Sequence, residues 1–296
     1  MRHWLSAGFL FSILLSGCTI KVTEDRVFLP SEAAGTQISI DDGDRVLFDL
    51  NRANPEIWKD HEASFDTGEF TSEAGNIHYK LARNGEVNGP LFIYCGGNTF
   101  DVPNHGDLAI WKILPFGDVL VWDYPGFGES EGEPTVIQFR QAVRALVSSA
   151  DTFRRNSDQS IILWGQSLGG FVCSEVAAQF DQDLSLIIET SAPSAPKAAS
   201  YLVPWYLKPF AKVELASELV GLNTIDTLDF MQLDILVLGG RKDRILPVSL
   251  SRQLHEQLTE RGHQVRYHEF QEGTHFNLSL EDGFESVIQT FLASLE

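Results

Sequence analysis

Three residue types in the second half of the chain, a serine, an aspartate and a histidine, could together perform nucleophilic acyl chemistry. Gly165-Gln166-Ser167-Leu168-Gly169-Gly170 follows the apolar run Ser160 to Trp164 and opens a predicted helix through Phe171 to Phe180. Strand, G-x-S-x-G, helix is the context of a nucleophile elbow. A serine on such a turn sits in strained backbone with its hydroxyl clear of the sheet, and side chains at Gly165 and Gly169 would collide with neighbouring backbone. The helix start then aims free N–H groups at the place where an oxyanion would form. Downstream, Asp234 to Gly239 reads as a buried strand leading to Asp243, and Gln264 to Phe270 reads as a strand leading through Gly273 to His275. Serine hydroxyl is a poor nucleophile at its own pKa, so a base must take its proton. His275 is that base, and Asp243 would hold its imidazole in one tautomer and stabilise the imidazolium. Asp123 also ends a strand and is the competing acid.

These residues need a sheet whose strand ends converge. Leu91 to Tyr94 and Val119 to Trp122 read as central buried strands. An antiparallel hairpin around Ala74-Gly75-Asn76 opens the sheet between Glu62 and Leu81. Thr135 and Gln138 fit a capping box ahead of a helix with Val136, Phe139, Val143, Leu146 and Val147 on one face. Leu250, Leu254 and Leu258 repeat at helical spacing before a Gly262 stop, and Phe284 to Leu295 forms an amphipathic last helix. Strands alternating with helices imply an α/β fold: a mostly parallel sheet covered on both faces. Open sheets of this kind carry their chemistry at the carboxyl ends of the strands.

Four stretches carry a family resemblance: Cys95-Gly96-Gly97-Asn98, Asp123-Tyr124-Pro125-Gly126-Phe127-Gly128-Glu129-Ser130-Glu131-Gly132, the elbow, and the Asp243 and His275 loops. Over roughly Glu62 to Glu296 the chain resembles the α/β-hydrolases of the Bem46-like and serine aminopeptidase S33-like group. The resemblance implies the α/β-hydrolase fold with a short cap, the chain order Ser167, Asp243, His275, and no metal or organic cofactor. It gives Asp123 a structural role, shaping the Gly126–Gly128 turn. It also implies that the oxyanion donors are the backbone N–H groups of Leu168 and Asn98, with Thr99 the neighbouring alternative. The first stretch departs from the family pattern, reading Gly96-Gly97-Asn98 where His-Gly-Asn is usual. A backbone donor survives that change.

The cap would lie between Glu189 and Asp234, spanning 191–233, where Pro193, Pro196, Pro204 and Pro209 break the alternation. Its aromatics, Tyr201, Trp205 and Tyr206 among them, either pack the cap onto the core or wall an acyl pocket. His105, in the long loop after Asn98, is a further candidate for the pocket border.

The chain's 296 residues suit one large domain, and 43% hydrophobic content is ordinary for a globular protein. Net charge is −19, with no basic cluster, which disfavours nucleic acid as a partner. At the N-terminus, Arg2, the apolar Trp4 to Leu15 and the small residues before Cys18 read as a signal segment over 1–17. Leu15-Ser16-Gly17-Cys18 resembles the lipobox of bacterial lipoproteins, in which the cysteine is lipidated. That resemblance implies an envelope protein anchored through Cys18. Thr19 after it implies the outer membrane, facing the periplasm. Residues 18–60 would then be lipidated Cys18, a tether and an acidic extension, and 61–296 the hydrolase domain. Asp41-Asp42-Gly43-Asp44 lacks an EF-hand's spacing and reads as a solvated turn. Cys95 and Cys173 read as small core side chains, which export could oxidise to a disulfide if their distance allowed.

The expected activity is hydrolysis of a carboxylic ester through an acyl-enzyme on Ser167. The same machinery serves thioesters and amides. An aminopeptidase would need an acid in the cap to read the α-amine, for which Glu214 and Glu218 are available. A non-catalytic binding lipoprotein is the reading of another class. Oligomeric state is not legible.

Overall fold

The computed structural model describes residues 18–30, 62–85, 89–181, 184–201 and 211–295. The expected signal segment at 1–17, the Asp41–Asp44 turn, and Trp205 and Tyr206 lie outside the described residues.

An eight-stranded sheet forms the centre, in the order β10-β9-β7-β6-β4-β5-β3-β2. Its strands are β2 (Ser64–Ser72), β3 (Gly75–Arg83), β4 (Leu91–Cys95), β5 (Asp118–Trp122), β6 (Ile161–Gln166), β7 (Ser185–Glu189), β9 (Asp234–Gly240) and β10 (Gln264–Phe270). The β2–β3 hairpin and the β3–β5 pairing are antiparallel. From β5 to β10 every pairing is parallel. A mostly parallel sheet needs cover on both faces, which is why β4 and β5 are buried along their whole length. Alternate residues of β4 enter opposite cores, Leu91, Ile93 and Cys95 one and Phe92 and Tyr94 the other. Helices α1 (Val102–Ile113) and α8 (Phe284–Leu292) cover the second face, and α2 (Val136–Phe153), α3 (Leu168–Ala177) and α7 (Ser249–Glu260) the first. This is the α/β-hydrolase fold.

Local chemistry starts the helices. The Asp101 side chain accepts the Asn104 N–H at 2.7 Å to cap α1, and Pro103 adds a preset φ. Thr135 caps α2 by accepting the Gln138 N–H at 3.3 Å. Only half of the expected capping box forms, because the Gln138 amide oxygen accepts the Glu133 N–H at 2.6 Å instead.

The described part of the cap holds α4 (Ala195–Ala199), β8 (Ala211–Leu215), α5 (Ser217–Val220) and α6 (Thr224–Thr227). Here the structure departs from the expected tether. Cys18–Val22 forms β1, parallel to β8, with Cys18 opposite Ala211 and Val22 opposite Leu215. A 3-10 turn follows at Glu24–Arg26, where the Glu24 carboxylate accepts the Val136 N–H at 2.7 Å at the start of α2. Phe28 is then buried against Phe139, with ring centroids 6.1 Å apart. Periodicity missed this segment because its partners are remote and each contact is made by one residue.

The two remaining cysteines are likewise not separate thiols. Cys95, ending β4, and Cys173, inside α3, form a fully buried disulfide with Cα atoms 5.9 Å apart. With 78 residues separating them, closing the loop in the unfolded chain corresponds to about 4 kcal/mol on the chain-entropy account.

Candidate active site

Ser167 occupies the turn between β6 and α3 with φ 55° and ψ −117°, left-handed backbone that a non-glycine residue rarely adopts. The turn is this tight because strand and helix meet almost backbone to backbone. A Cβ at Gly165 would overlap the Gly169 carbonyl, and one at Gly169 would overlap the Cys95 carbonyl. Both glycine expectations therefore have a steric cause. The Ser167 N–H donates to the Glu189 carbonyl at 2.9 Å, and its own carbonyl accepts from Gly170 N–H at 3.0 Å.

His275 lies in the turn after β10 and Asp243 in the turn after β9, 96% and 93% buried. His275 Nδ1 and Asp243 Oδ2 are 2.7 Å apart. The other carboxylate oxygen of Asp243 accepts the N–H groups of Ile245 and Leu246, each at 2.8 Å. An acid so held has one oxygen left for the imidazole. The competing acid is engaged elsewhere: Asp123 accepts the Val102 N–H at 2.6 Å and the Glu129 N–H at 3.1 Å. Its carboxylate fills the space beside Gly128, φ 51°, where a side chain would overlap it.

Burial raises the Asp123 carboxyl to about 7, against the pull of its two backbone donors. The fold therefore keeps a proton there that the unfolded chain releases near the usual carboxylate value of about 4. The stability this contributes is fully present below that value and is lost as pH rises toward 7. The unfolding free energy of wild type minus that of Asp123→Asn should thus fall by a few kcal/mol between pH 4 and pH 8. Urea unfolding across that range checks it, and a difference growing with pH would contradict it.

Ser167 and His275 open onto one cavity of about 240 Å³, which Asn98 and Thr99 also line. Gly97 runs close by, where an added Cβ would stand 3.7 Å from Ser167 Cβ. Three successive carbonyls of this loop are pinned. Gly96 accepts the Tyr124 hydroxyl at 2.7 Å, Gly97 the Phe100 N–H at 3.1 Å, and Asn98 the Leu29 N–H at 3.0 Å. In a trans peptide the N–H points away from its carbonyl. Fixing the Gly97 and Asn98 carbonyls therefore fixes the directions of the Asn98 and Thr99 donors. Leu168 begins α3, where the first N–H groups have no intrahelical acceptor.

His105 borders the cavity, its pKa lowered by burial and partly restored by Asp101. Tyr201 does not line it: its hydroxyl lies 3.3 Å from Ser249 Oγ. Among the described residues the wall comes from α1, through Leu108, Trp111 and Lys112, with Tyr94, Phe100, Phe276 and Leu280. Sequence reasoning missed α1 because it sought aromatics in the cap; the Trp111-Lys112 pair on a helix following the Gly96–Asn98 loop was the available signal. Lys112 is paired with Glu189 at 2.7 Å, both nearly fully buried, and its ammonium lies over the Tyr94 ring at 5.0 Å. Glu189 also accepts the Trp164 indole N–H at 2.9 Å.

Residues 117–222 match the family described as serine aminopeptidase, S33. The chain is 26% identical to an uncharacterized membrane protein of Saccharomyces cerevisiae, over 96% of this chain and 94% of that protein. It is also 26% identical to the protein bem46 of Schizosaccharomyces pombe, over 60% of this chain and 58% of that one. A solved esterase of Pyrococcus furiosus superposes with a TM-score of 0.61 at 17% identity, covering 80% of this chain and 93% of its own. Among the described residues, no helix is long and apolar enough to cross a membrane.

Proposed function

We propose that the chain, which belongs to the Bem46-like α/β-hydrolases, is a serine hydrolase that cleaves carboxylic esters through an acyl-enzyme on Ser167. The observation that carries this is the 2.7 Å His275–Asp243 hydrogen bond beside a cavity shared by His275 and the strained Ser167. Ser167 Oγ attacks the ester carbonyl carbon while its proton passes to His275 Nε2. The tetrahedral oxyanion is held by the backbone N–H groups of Leu168 and Asn98, donors whose directions are fixed before substrate arrives. Collapse breaks the bond to the alcohol, which leaves with the proton from His275. Water, deprotonated by His275, then attacks the acyl-enzyme and regenerates Ser167.

An ester is favoured over a peptide with a free amine because, among the described residues, none that lines the cavity is Asp or Glu. Glu214, in β8, and Glu218, in α5, are not among the lining residues. Lys112 is already neutralised by Glu189, so among the described lining residues an α-ammonium would find no carboxylate free to read it. The esterase activity named for the Pyrococcus furiosus protein agrees with this reading. A panel of p-nitrophenyl esters, thioesters and aminoacyl-naphthylamides tests it: turnover confined to the naphthylamides would replace esterase by aminopeptidase. No turnover together with no labelling by a fluorophosphonate would leave a binding protein.

The proposal includes anchoring through a lipidated Cys18 at the bacterial outer membrane. It draws on the Leu15-Ser16-Gly17-Cys18 pattern and on the membrane label of the yeast relative. Cys18→Ser should move the protein from the membrane pellet to the soluble fraction. A wild-type protein that is already soluble and begins at another residue would refute it.

A further inference from the structure

We propose that Thr190 and Ser191 form a second strained turn that positions the nucleophile and the base together. The inference rests on the reading of Ser167 and His275 as that pair.

Among the described residues only three non-glycine residues have positive φ: Glu62, Ser167 and Thr190. The last two are not independent. β6 and β7 are parallel neighbours whose last paired residues are Gln166 and Glu189. Ser167 and Thr190 are the next residue on each strand, so two adjacent strands end in left-handed turns at the same level. For a β-branched residue, φ 47° is a costly conformation that glycine would adopt freely. In a continuing strand, residues 190 and 191 would project to opposite faces. The turn at Thr190 takes the chain out of that alternation.

The two hydroxyls serve the two functional residues. Thr190 Oγ1 donates to the His275 carbonyl at 3.3 Å, and Ser191 Oγ donates to the Ser167 carbonyl at 2.7 Å. Both residues are at least 99% buried. The Gln166 side-chain amide gives the His275 carbonyl a second donor at 3.1 Å. The Thr190 N–H is tied to the Leu238 carbonyl of β9 at 2.9 Å, so the turn is itself fixed to the sheet. His275 lies past the end of β10, outside any ladder, and its backbone has these side-chain bonds where a strand residue would have neighbouring strands. Neither hydroxyl touches a reacting atom. They set where the Ser167 and His275 backbones stand relative to each other, and so the separation across which a proton must pass. Backbone strain at Thr190 persists because the hydroxyl that glycine lacks makes one of these bonds.

The decisive variant is Thr190→Gly, which relieves the φ penalty and deletes the hydroxyl at once. It should melt at or above the wild-type temperature yet lower kcat by roughly tenfold to a hundredfold with little change in KM, the range expected for a small misplacement of reacting groups. Thr190→Ser, which keeps the hydroxyl, should recover most of kcat. Ser191→Ala should slow labelling by a fluorophosphonate without loss of folding. A readout independent of turnover is the low-field Nδ1 proton resonance of the His275–Asp243 pair, recorded in the Ser167→Ala background. Thr190→Gly should shift or broaden it. Unchanged kcat and an unchanged resonance in Thr190→Gly would overturn the proposal. If Ser167→Ala itself keeps full activity, the serine-hydrolase reading fails, while the resonance still decides whether Thr190 positions His275.

Discussion

Ser167→Ala is expected to lower ester turnover by about five orders of magnitude, and His275→Ala to do nearly the same. The double variant should be little worse than either single one. Without Ser167 there is no atom to carry the acyl group; without His275 the serine proton has no acceptor and the leaving alcohol no donor. Each loss removes the same pathway, so the second removal has nothing left to slow. The residual rate would come from the oxyanion donors and from binding. Substrate turnover by the purified variants, with circular dichroism to verify folding, is the measurement. Losses that multiply in the double variant would mean that the two residues do not share one mechanism.

Asp243→Asn should cost about 10⁴-fold in kcat while leaving the fold intact. The reason lies in how the carboxylate is held. One oxygen accepts the N–H groups of Ile245 and Leu246, and an asparagine oxygen can take the same place. The amide NH₂ is then turned toward His275 Nδ1, the atom 2.7 Å from the original Oδ2. A donor there favours the imidazole tautomer with its proton on Nε2, the nitrogen that must be free to receive the proton of Ser167. The variant is thus well folded and wrongly protonated. Near-wild-type turnover by Asp243→Asn would remove Asp243 from the mechanism.

Much of this arrangement was legible from residue types because it is local. Gly165 and Gly169 mark a turn that tolerates no side chain, and Asp243 and His275 each follow an apolar run by a few residues, so strand ends and their cargo appear together. The contacts of Asp123 are local in the same way, since its carboxylate is bound up with Gly128 only a few residues away. Three other features depend on distance through space and left no trace in periodicity. Tyr201 does not line the cavity, and among the described residues Leu108, Trp111 and Lys112 do; which helix faces a cavity is decided by how the helix lies across the sheet. The Cys95–Cys173 disulfide needs β4 and α3 side by side, which no spacing reveals. The left-handed Thr190 is invisible in principle, because threonine is a poor marker for positive φ.

Pairing β1 with β8 also orders events in time. Cys18 leaves the ribosome long before its partner Ala211, which follows only after most of the sheet has been made. Pairing so distant must overcome a large loop-closure entropy and is intrinsically slow. Strand β1 is therefore expected to dock among the last elements. Its arrival also delivers Glu24 to the start of α2 and Leu29 to the Asn98 carbonyl. On this schedule the Gly96–Asn98 loop beside Ser167 receives its final tie when β1 docks. A chain caught earlier would hold its serine, histidine and aspartate in a site not yet finished.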